Sequence, residues 1–208
     1  MKKILIYGDS NLWSFNHKEN KRLAEKYRWG NMLQEYLKNE YEIIQEGLPG
    51  RIAGNCDELK KYKNGKDTFE AIFRTQAPID IIIIALGTND LQTMYSRNHN
   101  EIYNDLMWYK ALVNNIFEDP IYKVRFFNNC CLPRFIYVLP ANFDYQKDAK
   151  NLYNENSEKE RLLLIEKFKH EYVGDYVILN DIELADGDGL HYTIGGQRKV
   201  FEIVKEII

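Results

Sequence analysis

Pro78-Ile79-Asp80-Ile81-Ile82-Ile83-Ile84-Ala85-Leu86-Gly87-Thr88-Asn89-Asp90 is the stretch that decides how this chain folds. Four isoleucines in a row leave no polar side to a strand. A strand of that kind has to be covered on both faces, as in the middle of a parallel sheet. The run then breaks into Gly87-Thr88-Asn89-Asp90, a polar turn sequence. Working outward from Ile79–Ala85, four shorter apolar runs read as further strands: Lys3–Tyr7, Glu42–Gln45, Phe135–Leu139 and Tyr176–Leu179. Helical periodicity fills the intervals over Trp29–Lys38, Phe69–Thr75, Glu101–Phe117, Glu158–His170 and Gln197–Ile207. Strand alternating with helix implies βαβ units. The expectation is one α/β domain spanning 1–208, a three-layer α/β/α sandwich around a five-stranded parallel sheet in flavodoxin-like order. Asn55–Asp67 and Ile121–Pro133 show neither period and read as irregular.

The 208 residues are 45% hydrophobic and 28% charged, with a formal net charge of −3. That is the profile of a globular domain without a basic face, so no nucleic-acid partner is expected. Cys56, Cys130 and Cys131 are odd in number, and two are adjacent, which suits neither a disulfide framework nor a zinc site. The apolar run Ile4–Tyr7 is too short for a leader, and nowhere do about eighteen apolar residues run together to span a membrane. A reducing, cytoplasmic setting is expected. Homo-oligomerisation stays open, because an apolar interface reads like core in a sequence.

In open α/β sheets, sites form at the carboxyl ends of strands. Four motifs fall there: Gly8-Asp9-Ser10-Asn11, Gly47-Leu48-Pro49-Gly50-Arg51, Gly87-Thr88-Asn89-Asp90 and Asp186-Gly187-Asp188-Gly189-Leu190-His191. Each has a structural reading of its own. Ser10 suits a helix N-cap, Gly50 a turn, Asn89 a turn or cap, and His191 a solvated loop. Together they make another constellation: a hydroxyl, an imidazole with a carboxylate three residues before it, and hydrogen-bond donors for a developing oxyanion. There is no Gly-x-Ser-x-Gly elbow, no phosphate loop and no dinucleotide fingerprint. A calcium loop at Asp186 fails because Leu184 stands where a ligand is needed. No metal or cofactor is expected.

These four motifs, in this order from residue 8 to residue 191, resemble the SGNH (GDSL-type) hydrolase superfamily. Trp13, Arg28-Trp29, Glu46-Gly47-Leu48-Pro49-Gly50-Arg51 and Ala77-Pro78-Ile79-Asp80 are similar to patterns of its arylesterase-like branch. The resemblance implies a catalytic triad of Ser10, Asp188 and His191. It implies an oxyanion hole from Ser10, Gly50 and Asn89, and a short-chain ester as small-molecule substrate. Asn11 departs from the leucine of the eponymous tetrad, and Ile121–Arg134 matches nothing in the family. Trp13, Phe15 and Tyr95 are candidates to line a pocket. Two other readings compete: a non-catalytic binding module that keeps the fold, and a phosphate or nucleotide binder at Gly8–Asn11. The second is weakened by Asp9 and by the lack of any Lys or Arg in that turn.

Overall fold

The computed structural model describes residues 1–54, 56, 61–148 and 150–208. In chain order its strands are β1 (Lys2–Gly8), β2 (Phe15–Asn16), β3 (Lys21–Arg22), β4 (Tyr41–Gly47), β5 (Ile81–Ala85), β6 (Arg134–Val138) and β7 (Asp175–Val177). Its helices are α1 (Ser10–Trp13), α2 (Trp29–Leu37), α3 (Gly65–Gln76), α4 (His99–Glu118), α5 (Pro120–Phe126), α6 (Glu155–Glu171) and α7 (Ile194–Lys205). Five strands form one sheet in the order β4-β1-β5-β6-β7, every pair parallel. Counting only those five, the order is second, first, third, fourth, fifth, as in flavodoxin-like sheets. The short β2–β3 ribbon is antiparallel and lies apart.

The isoleucine run does what its composition demands. Ile82 and Ile84 point to one side of the sheet, where Leu5, Tyr7, Phe135 and Tyr137 meet Phe69 and Phe73 of α3, Leu106 and Tyr109 of α4, and Leu164 and Phe168 of α6. Ile81 and Ile83 point to the other, where Ile4, Ile6, Ile136 and Val138 meet Trp29 and Leu33 of α2 and Val200 and Val204 of α7. The period of two along a strand splits one apolar run between two cores. Each fully buried isoleucine contributes about 1.5–3 kcal/mol of transfer free energy to that packing.

Two boundaries differ from expectation. Ile121–Pro133 is not irregular: Ile121–Phe126 lie in α5, and a 3-10 turn follows at Asn128–Cys130. The cause is local. The Asp119 side chain accepts hydrogen bonds from Ile121 N at 2.8 Å and Tyr122 N at 3.2 Å, with Pro120 at the first helical position. An Asp-Pro pair starts a helix in this way, because proline there lacks only an N–H that would be orphaned anyway. Of Asn55–Asp67, positions 55 and 57–60 lie outside the described residues. Within the rest, Lys61–Lys63 form a 3-10 turn and α3 begins at Gly65, four residues before the apolar period becomes visible at Phe69. Among the described residues no helix is long and apolar enough to cross a membrane.

Candidate active site

Because β1, β4 and β5 run in register, with Gly8 opposite both Gly47 and Ala85, the loops that follow them emerge side by side. The loop after β1 turns at once into α1. Asp9, not Ser10, caps that helix: its carboxylate accepts from Asn11 N at 2.9 Å. Ser10 therefore stands at the first helical position with its hydroxyl unspent. Its Oγ lies 3.0 Å from His191 Nε2.

His191 is delivered from the opposite side by a loop between β7 and α7. A bridge between Leu184 and Tyr192 closes the base of that loop, and Gly187 (φ 96°) and Gly189 (φ 61°) supply its left-handed turns. Gly189 also sits so close to Asp144 O that a side chain there would collide with it. The Asp188 carboxylate is used fully. Oδ1 accepts from Leu190 N at 2.9 Å and His191 N at 3.1 Å; Oδ2 lies 2.6 Å from His191 Nδ1 and 3.0 Å from His17 Nδ1. Burial alone would push this carboxyl up. The hydrogen bonds from the His191 ring and the two N–H groups outweigh it and hold Asp188 below the usual carboxylate range.

The second-motif loop forms a turn in which Arg51 N donates to Leu48 O at 3.1 Å, with Pro49 and Gly50 at its centre. Gly50 has φ +78°, the value the third position of a type II turn needs. Asn89 opens the 3-10 turn Asn89–Leu91 after β5. Its Nδ2 donates to Arg51 O at 3.0 Å and its Oδ1 accepts from Gln92 Nε2 at 3.0 Å. The second amide proton of Asn89 is thus left over, beside the residue that follows Gly50. Asp90, fully buried, ties the same loops together by accepting from Ala53 N at 2.8 Å and pairing with Arg97 at 2.7 Å. Burial pushes its carboxyl up, with Arg97 and the N–H groups of Ala53 and Gly54 opposing.

Residues given no role by the sequence reading hold this arrangement. Asn11 Oδ1 accepts from Tyr192 N at 3.3 Å, joining α1 to the His191 loop. Gln197 of α7 is completely buried; its Oε1 accepts from Ser14 Oγ at 3.1 Å and Trp29 N at 3.0 Å, and its Nε2 donates to Asn11 O at 3.2 Å. Arg51 is buried over the Tyr7 ring at 4.0 Å, with Nη1 donating to Gly8 O at 3.1 Å. Asn11 was visible beforehand as a departure from a pattern, and Arg51 as the last residue of the second motif. Gln197 has no local signature, because its partners lie far along the chain.

A cavity of about 300 Å³ opens beside His191, lined by Phe15, His17, Asp148, Leu152, Leu190 and His191 among others. Phe15 packs on the His191 ring at 4.7 Å. Trp13 stacks behind Phe15 at 6.2 Å, and Tyr95 ends the 3-10 turn Thr93–Tyr95; neither is among the cavity's lining residues. Among the described residues, no group of three or more His, Cys, Asp or Glu side chains is placed to hold a metal ion.

Asp9 gives a pH prediction. Burial pushes its carboxyl up to about 6, against 3.8 in the unfolded chain, despite the hydrogen bond from Asn11 N. The native state therefore binds the extra proton between those values. Stability from this group is full below the unfolded value and is lost as pH rises through 6. Asp9→Asn keeps an acceptor for Asn11 N and removes the buried charge. It should stabilise the fold by on the order of 2–3 kcal/mol at pH 8 and by much less at pH 4.5, read as urea midpoints at the two pH values. An equal effect at both would show that the carboxyl does not titrate in this range.

Comparison with known proteins agrees with the fold. The GDSL-like Lipase/Acylhydrolase family matches residues 4–204. A carbohydrate acetylesterase family member from Sinorhizobium meliloti superposes with a TM-score of 0.84 at 22% identity, covering 100% of this chain and 97% of that one. The inhibitor-bound aryl esterase of M. smegmatis superposes with a TM-score of 0.79 at 22% identity, over 100% of both chains. A curated protein, the CRISPR-associated endoribonuclease Cas13a of Leptotrichia shahii, is 27% identical over 164 residues, 74% of this chain. The chain spans only 10% of that relative's length, and so short a share of a long protein shows no common activity.

Proposed function

The chain belongs to the GDSL-like lipase/acylhydrolase family; from that premise we propose that it is a hydrolase of carboxylic esters and cleaves short-chain acyl esters through an Asp188–His191–Ser10 relay. The observation that carries this reading is the unbroken chain of contacts, 2.6 Å from Asp188 to His191 and 3.0 Å from His191 to Ser10. Asp188 holds the ring so that Nε2 faces the hydroxyl. His191 takes the Ser10 proton as Oγ attacks the acyl carbon. The carbonyl oxygen, becoming an oxyanion, is received by the N–H groups of Ser10 and Gly50 and by the spare proton of Asn89 Nδ2. His191 then returns the proton to the leaving alcohol. Water, activated by the same imidazole, releases the acid and regenerates Ser10 Oγ–H.

The cavity beside His191, at about 300 Å³, lies at the small end of ligand pockets and supports a small ester rather than a long lipid. The test is covalent. A fluorophosphonate probe should label the protein at one site, and peptide mapping by mass spectrometry should place the adduct on Ser10. Labelling elsewhere, or none, would remove the nucleophile from this reading.

A further inference from the structure

A lysine stands at the edge of this site with no role in the reaction just described. Lys63 closes the 3-10 turn Lys61–Lys63, and its carbonyl accepts from Ile52 N at 3.1 Å. Ile52 O in turn accepts from Gly65 N at 3.1 Å, so the backbone of Lys63 is pinned to the chain that follows Gly50. The side chain doubles back along Gly50. A Cβ added to Gly50 would stand 2.9 Å from Lys63 Nζ, 3.4 Å from Cε and 3.5 Å from Cδ. The space a side chain would fill at Gly50 is thus taken by the end of a lysine.

Lys63 is half-buried, and among the described residues no carboxylate pairs with its ammonium. Its neighbours differ. Lys66 is held by Asp105, Arg97 by Asp90 and Asp105, and Arg51 turns inward to the carbonyls of Gly8 and Glu46. An ammonium that no carboxylate of the described residues engages is free to make charge-assisted hydrogen bonds to a ligand that brings a negative charge.

Building on the esterase reading, we propose that Lys63 receives an anionic end of the acyl group, so that the preferred substrates are esters of short acids bearing a second carboxylate. The direction follows from the chemistry. His191 has to protonate the leaving oxygen, which puts the alcohol on its side, towards Phe15 and Leu190. The carbonyl oxygen faces the N–H groups of Ser10 and Gly50. The acyl substituent is what remains to extend past Gly50, where the ammonium waits. A compact charge on a flexible stem can follow a carboxylate over a range of chain lengths.

Monomethyl succinate and methyl 4-methylpentanoate are nearly isosteric, a carboxylate in one standing where the other has an isopropyl group, and differ by the charge at the acyl end. The protein should hydrolyse monomethyl succinate with a kcat/KM about tenfold or more above that for methyl 4-methylpentanoate, and Lys63→Met should bring the ratio to about one. Lys63→Arg should keep most of the preference. No preference in the unsubstituted protein overturns the proposal. So does a loss in Lys63→Met that falls equally on both esters, because Lys63 would then be steadying the oxyanion itself. Fluorophosphonate labelling run alongside separates the two levels. Labelling of Ser10 without a preference for the anionic ester removes the acyl assignment alone; no labelling removes the esterase reading and this assignment with it.

Discussion

Ser10→Ala should lower kcat for a short-chain ester by about 10⁴-fold or more while leaving the fold as stable as before. The size follows from the loss of the covalent route: water attacking directly keeps only the oxyanion donors and binding, which leave a small residue of catalysis. The clean separation of activity from stability follows from the structure. In many proteins a serine at a helix start is the cap, and its loss costs about 1 kcal/mol. Here Asp9 caps α1, and among the described residues the Ser10 hydroxyl bonds only to His191. Initial rates with a chromogenic ester, paired with thermal midpoints, check both halves. Activity above a hundredth of the original in Ser10→Ala would mean that another group makes the bond to carbon.

Asn89→Ala should reduce kcat by about 10²–10³-fold and change KM little, the signature of a donor used more in the transition state than in the bound ester. Asn89 has a second duty, because its amide also joins Arg51 O to Gln92. The substitution should therefore also destabilise the fold, by about 1–2 kcal/mol. Both duties reach the oxyanion, because the Gly50 turn that the strut shapes carries another of its donors, so both act on kcat rather than KM. Steady-state kinetics of Asn89→Ala on one ester checks this: a raised KM with kcat held would remove Asn89 from the oxyanion hole.

Much of the fold was legible because the deciding residues are extreme. Four consecutive isoleucines admit few environments, and the glycine-containing breaks at Gly8, Gly47 and Gly87 mark where three of the strands deliver their loops. Ser10, Gly50, Asn89, Asp188 and His191 were legible because the short patterns around them are distinctive. What stayed hidden was of two kinds. The helix over Pro120–Phe126 was announced by Asp119-Pro120, but seven residues are too few for a period to be seen. His17, Gln197 and Lys63 gave no sign, because each acts on a residue brought near only by folding. His17 reaches Asp188 and Gln197 reaches Asn11, across most of the chain. No window of sequence contains such a pair.

Gln197 has a consequence for how the site comes together. Its contacts with Ser14, Trp29 and Asn11 join residues separated by 168 to 186 positions. The turn bearing Ser10 is therefore anchored only in a chain whose two distant parts have docked, so seating α7 and ordering that turn belong to one cooperative event.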